Sequence, residues 1–368
     1  MVNEELAKRL AKDGHEVTFL VGGYSGAKQE EMRDGYRIIR LGNRVSLYWK
    51  AFLYYKKHLQ GKHDLVIEEI NTIPFFTKFY VKEKNILFVH QLAREIWFYQ
   101  MFFPLSLVGY LLEPLYLRLL STFNFKLLPT TVITISESSK QDLVRHGFNP
   151  NAIHIISMGL TISILENLSN IDKFDKPTLL SIGAIRSMKR THHIIKAFEI
   201  AKKSILELQL IVAGIAEGTY GKKALSFMKS SSYTDSISYV GRVNQEKKTE
   251  LMQKSHILLV TSVKEGWGLV VTEAASQGMP AIVYNVDGLR DSVRHNHTGL
   301  ITTANTSLSL SETIVFLFSD PALYRTLRIN AWEWSKEITF DRCYRDFINI
   351  IKNLTIAACL HVTKETAV

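Results

Sequence analysis

Between residues 178 and 284 short apolar runs alternate with helical stretches, and this alternation constrains the fold more than any other feature of the chain. Residues 179–182 are apolar and lead into Gly183. A helical pattern follows, with Ile194, Ile195, Ala197, Phe198 and Ala201 on one face. Residues 208–213 predict a strand ending at Gly214, 237–240 another ending at Gly241, and 257–260 a third. Residues 269–277 predict a helix stopped by Gly278 and Pro280, and 281–284 the next strand. Alternation of this kind implies a parallel sheet wrapped by helices, with ligands bound beyond the carboxyl ends of its strands.

The first half repeats the theme less clearly. A helix is expected over residues 4–12, closed by Gly14, and strands at 17–21, 64–68, 85–89 and 131–135. With 368 residues two domains are the natural expectation. Their expected limits are 1–168 and 169–338, joined by the polar stretch 169–176. An amphipathic helix over 339–353 is expected to cross back to the first domain, and 354–368 to form a loosely held tail.

The net charge of +10 calls for an acidic partner. The lysines are scattered as pairs such as Lys56-Lys57 and Lys247-Lys248 rather than gathered in a nucleic-acid-binding arm, so no nucleic acid is expected. The two cysteines, Cys343 and Cys359, provide neither a disulfide framework nor a Cys-based metal site, and a cytoplasmic setting is expected. Residues 97–120 are dense in aromatic and aliphatic side chains, interrupted by Pro104, Glu113, Pro114 and Arg118. They fit either helices buried under a domain face or a surface turned toward an anionic membrane.

The strongest chemical signal is Glu265-Gly266-Trp267-Gly268-Leu269-Val270-Val271-Thr272-Glu273, which follows an apolar strand and opens a helix. Gly266 and Gly268 allow a sharp turn and close approach to a ligand. The N–H groups of Gly268, Leu269 and Val270 then lie at a helix N-terminus suited to phosphate. Glu265 on the loop and Glu273 on the helix can address different parts of one ligand. The plainer alternative is an ordinary strand-loop-helix with two surface carboxylates.

These residues resemble the E-x7-E signature of retaining glycosyltransferases of family 4, which adopt the GT-B fold of two Rossmann-like domains facing a cleft. The similarity extends to Ser181-Ile182-Gly183 with Lys189, to Val240-Gly241-Arg242, Gly278-Met279-Pro280, His297-Thr298-Gly299-Leu300 and, in the first half, Val89-His90-Gln91. The resemblance implies transfer of a sugar from a nucleoside-diphosphate sugar to a glycan or lipid-linked hydroxyl acceptor, with no cofactor and no metal. Glu265, His90 and Lys189 would be catalytic. Gly183, Arg186, Arg242, Val243, Gly266, Gly268, Leu269, Val270 and Glu273 would hold the donor, the residues around Arg242 and Val243 contacting its base.

Two departures accompany the resemblance. Ala184 stands where the family has an arginine, leaving Arg186 to supply the second cation. A central strand and Gly-rich loop precede the first helix in the family, whereas three residues precede residue 4 here, so the first domain is expected to lack its first strand and an in-frame upstream extension is expected. Two other readings stay open: a nucleotide- or glycan-binding protein without turnover, and a sugar-nucleotide epimerase of the same fold.

Overall fold

The computed structural model describes residues 2–43, 45–122 and 130–365. It is an α/β structure whose second half fits one long parallel sheet. There β8 (Thr178–Ile182), β9 (Gln209–Ala213), β10 (Ile237–Gly241), β11 (Ile257–Val260), β12 (Ala281–Val283) and β13 (Gly299–Ile301) lie in the order β10-β9-β8-β11-β12-β13. Every pairing in this sheet is parallel.

The central strands are largely apolar on both faces because both faces are covered, whereas the edge strand β10 is mostly exposed. Leu179, Leu210, Ile257 and Leu259 belong to one core cluster, with Ile195 and Phe198 of α7 (Thr191–Lys202) and Ile314 of α11 (Ser307–Ser319). Leu180, Leu258, Ala281 and Val283 point the other way, toward Leu251 and Met252 of α9 (Gln245–Lys254) and Val271 and Ala274 of α10 (Leu269–Ser276). The alternation within each strand is the two-residue period of a pleated sheet. The remaining helices of this half are α8 (Gly218–Lys229) and α12 (Pro321–Ser335).

The first half holds α1 (Val2–Lys12) and two separate sheets. In one, β1 (Thr18–Val21) pairs in parallel with β3 (Tyr36–Arg40), which β2 (Glu30–Arg33) joins antiparallel. In the other, β4 (Leu65–Ile70), β5 (Lys84–Val89), β6 (Thr131–Thr134) and β7 (Ile153–Ile155) run parallel in that order. Among the described residues no strand bridges β1 and β4. The helices of this half are α2 (Leu47–Tyr54), continuing as a π-helical turn Tyr55–Leu59, then α3 (Thr77–Tyr80), α4 (Trp97–Gln100), α5 (Leu105–Thr122) and α6 (Glu137–Arg145). The β2–β3 hairpin and β7 are additions to the strands expected from the sequence.

The last helix, α13 (Phe340–Glu365), returns to the first half, where its Cys343, Phe347 and Ile350 pack with Val2 and Leu6 of α1 and with Ile86 and Phe88 of β5. It does not stop near residue 353. The expected tail from 354 onward is helical as far as Glu365, and residues 366–368 lie outside the described residues. No helix among the described residues is long and apolar enough to cross a membrane.

Candidate functional site

In the second half the sheet order reverses at β8, which stands between its successor β9 and the later strand β11. At such a switch point the loops leaving two neighbouring strands diverge to opposite faces and open a crevice at their carboxyl ends. The loop after β8 carries Gly183, Arg186 and Lys189. The loop after β11 carries Glu265 to Gly268. The two are stitched together: Val263 N–H donates to the Met188 carbonyl at 2.8 Å, and the Thr261 hydroxyl donates to the Lys189 carbonyl at 2.8 Å.

Lys189 and Glu265 meet directly as an ion pair, and the Ser262 hydroxyl donates to the same carboxylate oxygen at 2.5 Å. Both charged side chains are largely shielded from solvent, which strengthens each electrostatic contact they make. Gly268, at φ 84°, turns the chain into α10. Leu269 and Val270 form the first turn of that helix, so their N–H groups face the crevice end. Gly266 is the close approach of the loop to the other half. A Cβ there would lie 3.2 Å from the His90 carbonyl oxygen.

Arg186 borders a hollow of about 500 Å³ whose wall also includes Met188, Gly218, Thr219 and, from the first half, Tyr99 and Gln100. Its Nε is buried with no hydrogen-bond partner. A guanidinium nitrogen withheld from water and from protein acceptors suits an anionic ligand.

Glu273 lies further along α10 and is engaged elsewhere. The Thr161 hydroxyl donates to its Oε1 at 2.8 Å and Lys248 Nζ lies 2.6 Å from Oε2. Thr161 also borders a second hollow, of about 610 Å³, with Gln245, Thr249 and Gln277. Arg242 and Val243 follow β10 directly. Arg242 is exposed, while Val243 is half-buried against the core beneath the crevice.

His90 stands at the carboxyl end of β5, stacked on Phe88 with ring centroids 4.5 Å apart. Its Nε2 lies 2.9 Å from Glu69 Oε1. Burial pushes the Glu69 carboxyl up, but the hydrogen bond and charge of His90 outweigh it and hold Glu69 below the usual carboxylate range. The Ser139 hydroxyl donates to the His90 carbonyl at 3.0 Å. Sequence reasoning singled out His90 without its partner Glu69.

It also missed the contacts that hold the halves together. Lys264 Nζ lies 2.5 Å from Asp142 Oδ2 of α6 and 3.3 Å from Asp287 Oδ2. Burial alone would lower the Lys264 ammonium, yet Asp142 and Asp287 hold it above its ordinary value. Ser138 N–H donates to Asp291 Oδ1 at 3.1 Å. The adjacency of Lys264 to Glu265 was a usable signal; nothing near Asp142 pointed to it. Glu113, expected only as an interruption of an apolar run, is buried and accepts from Ala93 N–H at 2.7 Å, Arg94 N–H at 2.5 Å and Trp97 Nε1–H at 3.1 Å. It thereby fixes the loop that carries His90. Among the described residues no three His, Cys, Asp or Glu side chains converge as a set of metal ligands.

Comparison with known proteins follows the same division of the chain. Residues 1–163 match the model of Glycosyltransferase Family 4, and residues 166–334 that of Glycosyl transferases group 1. An uncharacterized glycosyltransferase of Haemophilus influenzae is 25% identical over 238 residues, 64% of this chain and 65% of that protein. The chain spans about half the length of the curated relatives it matches. Sucrose-phosphate synthase from Thermosynechococcus elongatus shares the fold, with a TM-score of 0.72 and 18% identity over 96% of this chain and 93% of that one. HepE from Anabaena, solved with UDP and glucose, gives a TM-score of 0.70 and 15% identity over 96% and 95%. The two α/β halves and their crevice thus have GT-B architecture.

Proposed function

The chain belongs to the glycosyl transferases of group 1, and from that premise we propose that it moves a sugar from a nucleoside-diphosphate sugar to a hydroxyl of a glycan or lipid-linked acceptor, keeping the anomeric configuration. The observation that carries this reading is the pairing of Lys189 with Glu265 at the switch point, beside a glycine-turned helix N-terminus. A cation and a carboxylate in contact within a shielded crevice suit a reaction that separates charge between a departing diphosphate and a sugar.

In the proposed step the bond between the anomeric carbon and the phosphate oxygen breaks as the acceptor oxygen approaches on the same face. The acceptor proton passes to the leaving phosphate, and a nucleoside diphosphate is released. Lys189, Arg186 and the N–H groups of Gly268, Leu269 and Val270 neutralise the growing diphosphate charge, with Gly183 leaving room for it. Glu265 exchanges Lys189 for the sugar, orienting its hydroxyls and stabilising its positive character. Glu273 exchanges Thr161 and Lys248 for the ribose hydroxyls, the backbone around Arg242 and Val243 takes the base, and His90, held by Glu69, faces the sugar from the other half. These cations do the neutralising that a metal would otherwise do, so turnover should survive a chelator.

The test is calorimetry with a panel of nucleoside diphosphates and their sugars, followed by a hydrolysis or transfer assay with the labelled sugar that binds. Binding with turnover supports the reading. Binding without any turnover favours a nucleotide-binding protein, and conversion of the sugar without loss of the nucleotide favours an epimerase.

A further inference from the structure

The segment from Trp97 to Thr122 turns an apolar face outward. Helix α5 buries only Ser106, Glu113, Leu117 and Leu120, so Leu111, Leu112, Leu115 and Leu119 are left in solvent, Leu115 at 63% exposure. Phe103, in the loop before it, is 75% exposed and Phe102 nearly as much. A contiguous apolar surface of this kind marks a docking site. The one acid within α5, Glu113, is turned inward and occupied by three donors, which leaves the outward face without negative charge; Arg118 on that helix is exposed.

Helix α2 is joined to α5 by a chain of rings and exposes apolar and basic side chains of its own. Tyr48 of α2 packs on Phe75 at 4.7 Å, and the next residue, Phe76, meets Tyr116 of α5 edge-on at 6.5 Å. The Tyr116 hydroxyl donates to the Thr72 carbonyl at 2.5 Å, fixing that chain of rings. α2 and the π-helical turn after it expose Trp49 and Leu53 together with Lys50, Lys56 and Lys57. Residues 45–63 contain no Asp or Glu.

We propose that this face docks onto an anionic lipid bilayer, lying in its interface. Charge selects the partner. Two copies of the face pressed together would offer Lys50, Lys56, Lys57 and Arg118 no counter-charge, since α2, its π-helical turn and the outward side of α5 present no acid, whereas anionic headgroups complement them while the aromatic and leucine side chains enter the acyl boundary. The position of the face fits this role. Tyr99 and Gln100 of α4 border the hollow that Arg186 lines, and Phe102 and Phe103 follow within three residues, so the apolar face begins at the mouth of the crevice. A lipid-linked acceptor would enter there, a consequence that rests on the transferase reading; the docking itself does not.

Flotation of the full chain with vesicles, without nucleotide, tests the proposal. Phosphatidylglycerol-phosphatidylcholine vesicles should bind it at least tenfold more strongly than phosphatidylcholine alone, and less at high salt. The exposed pairs Phe102→Ser with Phe103→Ser, and Leu111→Ser with Leu115→Ser, should each lower partitioning at least tenfold with unchanged thermal midpoints. Lys56→Glu with Lys57→Glu should remove the preference for anionic lipid. Equal binding to both vesicle types, or serine variants that bind like the parent, would overturn the proposal. A parent chain that is dimeric without lipid and made monomeric by the serine pairs would also overturn it, assigning the face to a second copy. Nucleoside diphosphate binding, measured on the same samples by calorimetry, tests the transferase reading separately.

Discussion

Lys264 and Asp142 form a nearly solvent-free ion pair, Nζ to Oδ2 2.5 Å, between the loop that presents Glu265 and helix α6 of the opposite half. Asp287 adds a second carboxylate to the same ammonium at 3.3 Å. The residue that fastens the two halves is therefore the immediate neighbour of the carboxylate proposed to act on the sugar, so closure of the crevice and placement of Glu265 are coupled.

Removing one member leaves the other with a single partner, Lys264 with Asp287 and Asp142 with Arg145. Asp142→Leu or Lys264→Met should each destabilise by about 1–3 kcal/mol, because a buried charge loses one hydrogen-bonded partner and keeps another. The double variant should cost clearly less than the sum of the two. Urea denaturation of all four proteins supplies the cycle, and additive single effects would show that the two residues are not coupled.

The two glutamates of the E-x7-E pair should fail differently. Glu273→Ala should weaken nucleoside diphosphate binding by about 1.5–3 kcal/mol through loss of a charge-assisted bond. Glu265→Ala should leave that binding near the parent value and lower kcat, since its proposed partner is the sugar in the transition state. Calorimetry and steady-state kinetics on the two variants separate the effects, and parental kinetics in both would remove the assignment.

Acid should destabilise the protein through two histidines of the second half. Burial, with nearby positive charge from His192 and Arg190, pulls His193 down to about 4, and burial with Lys173 and Arg328 does the same to His256. Both folded values lie below the unfolded value of about 6.5. Between those limits the unfolded chain binds more protons, so their contribution is complete above about pH 6.5 and is lost as pH falls toward 4. Thermal midpoints recorded from pH 8 to pH 4 should fall across that window. The fall should be shallower in the double variant His193→Gln with His256→Gln.

What the sequence made legible follows from how local its causes are. Strand β11 is buried along its whole length and reads as an uninterrupted apolar run, and β8 is nearly so, which is why both stood out. The β2–β3 hairpin did not. Its turn, Asp34-Gly35, is a strong hairpin signal with both residues at positive φ, 48° and 87°, but Glu30–Arg33 is charged and mostly exposed and has no apolar alternation. In the site, Glu265, Gly268 and Glu273 lie within one loop and helix and could be found by spacing. The Lys264–Asp142 contact joins positions 122 residues apart and depends on how the halves close. Residues 97–120 were ambiguous because burial depends on neighbours: the same helix carries the sequestered Glu113 and the exposed Leu115.

Glu113 should position the His90 loop rather than merely stabilise α5. Its two oxygens accept from Ala93 N–H, Arg94 N–H and Trp97 Nε1–H. Glu113→Leu would orphan all three, and each buried unpaired donor costs about 1–3 kcal/mol. Glu113→Gln keeps one acceptor oxygen but turns an amide N–H₂ toward a donor, so it should recover part of the loss and not all of it. Both changes act in the first half, whose Tyr99 and Gln100 border the Arg186 hollow but supply no proposed diphosphate ligand, so nucleoside diphosphate binding should stay within about a factor of two of the parent, well under the tenfold that 1.4 kcal/mol represents. Turnover should fall, because His90 is carried on the displaced segment and Gly266 packs against its carbonyl. Calorimetric Kd and kcat measured on the two variants check this split, and a Kd that worsens in step with kcat would show that Glu113 serves the fold as a whole and not the placement of His90.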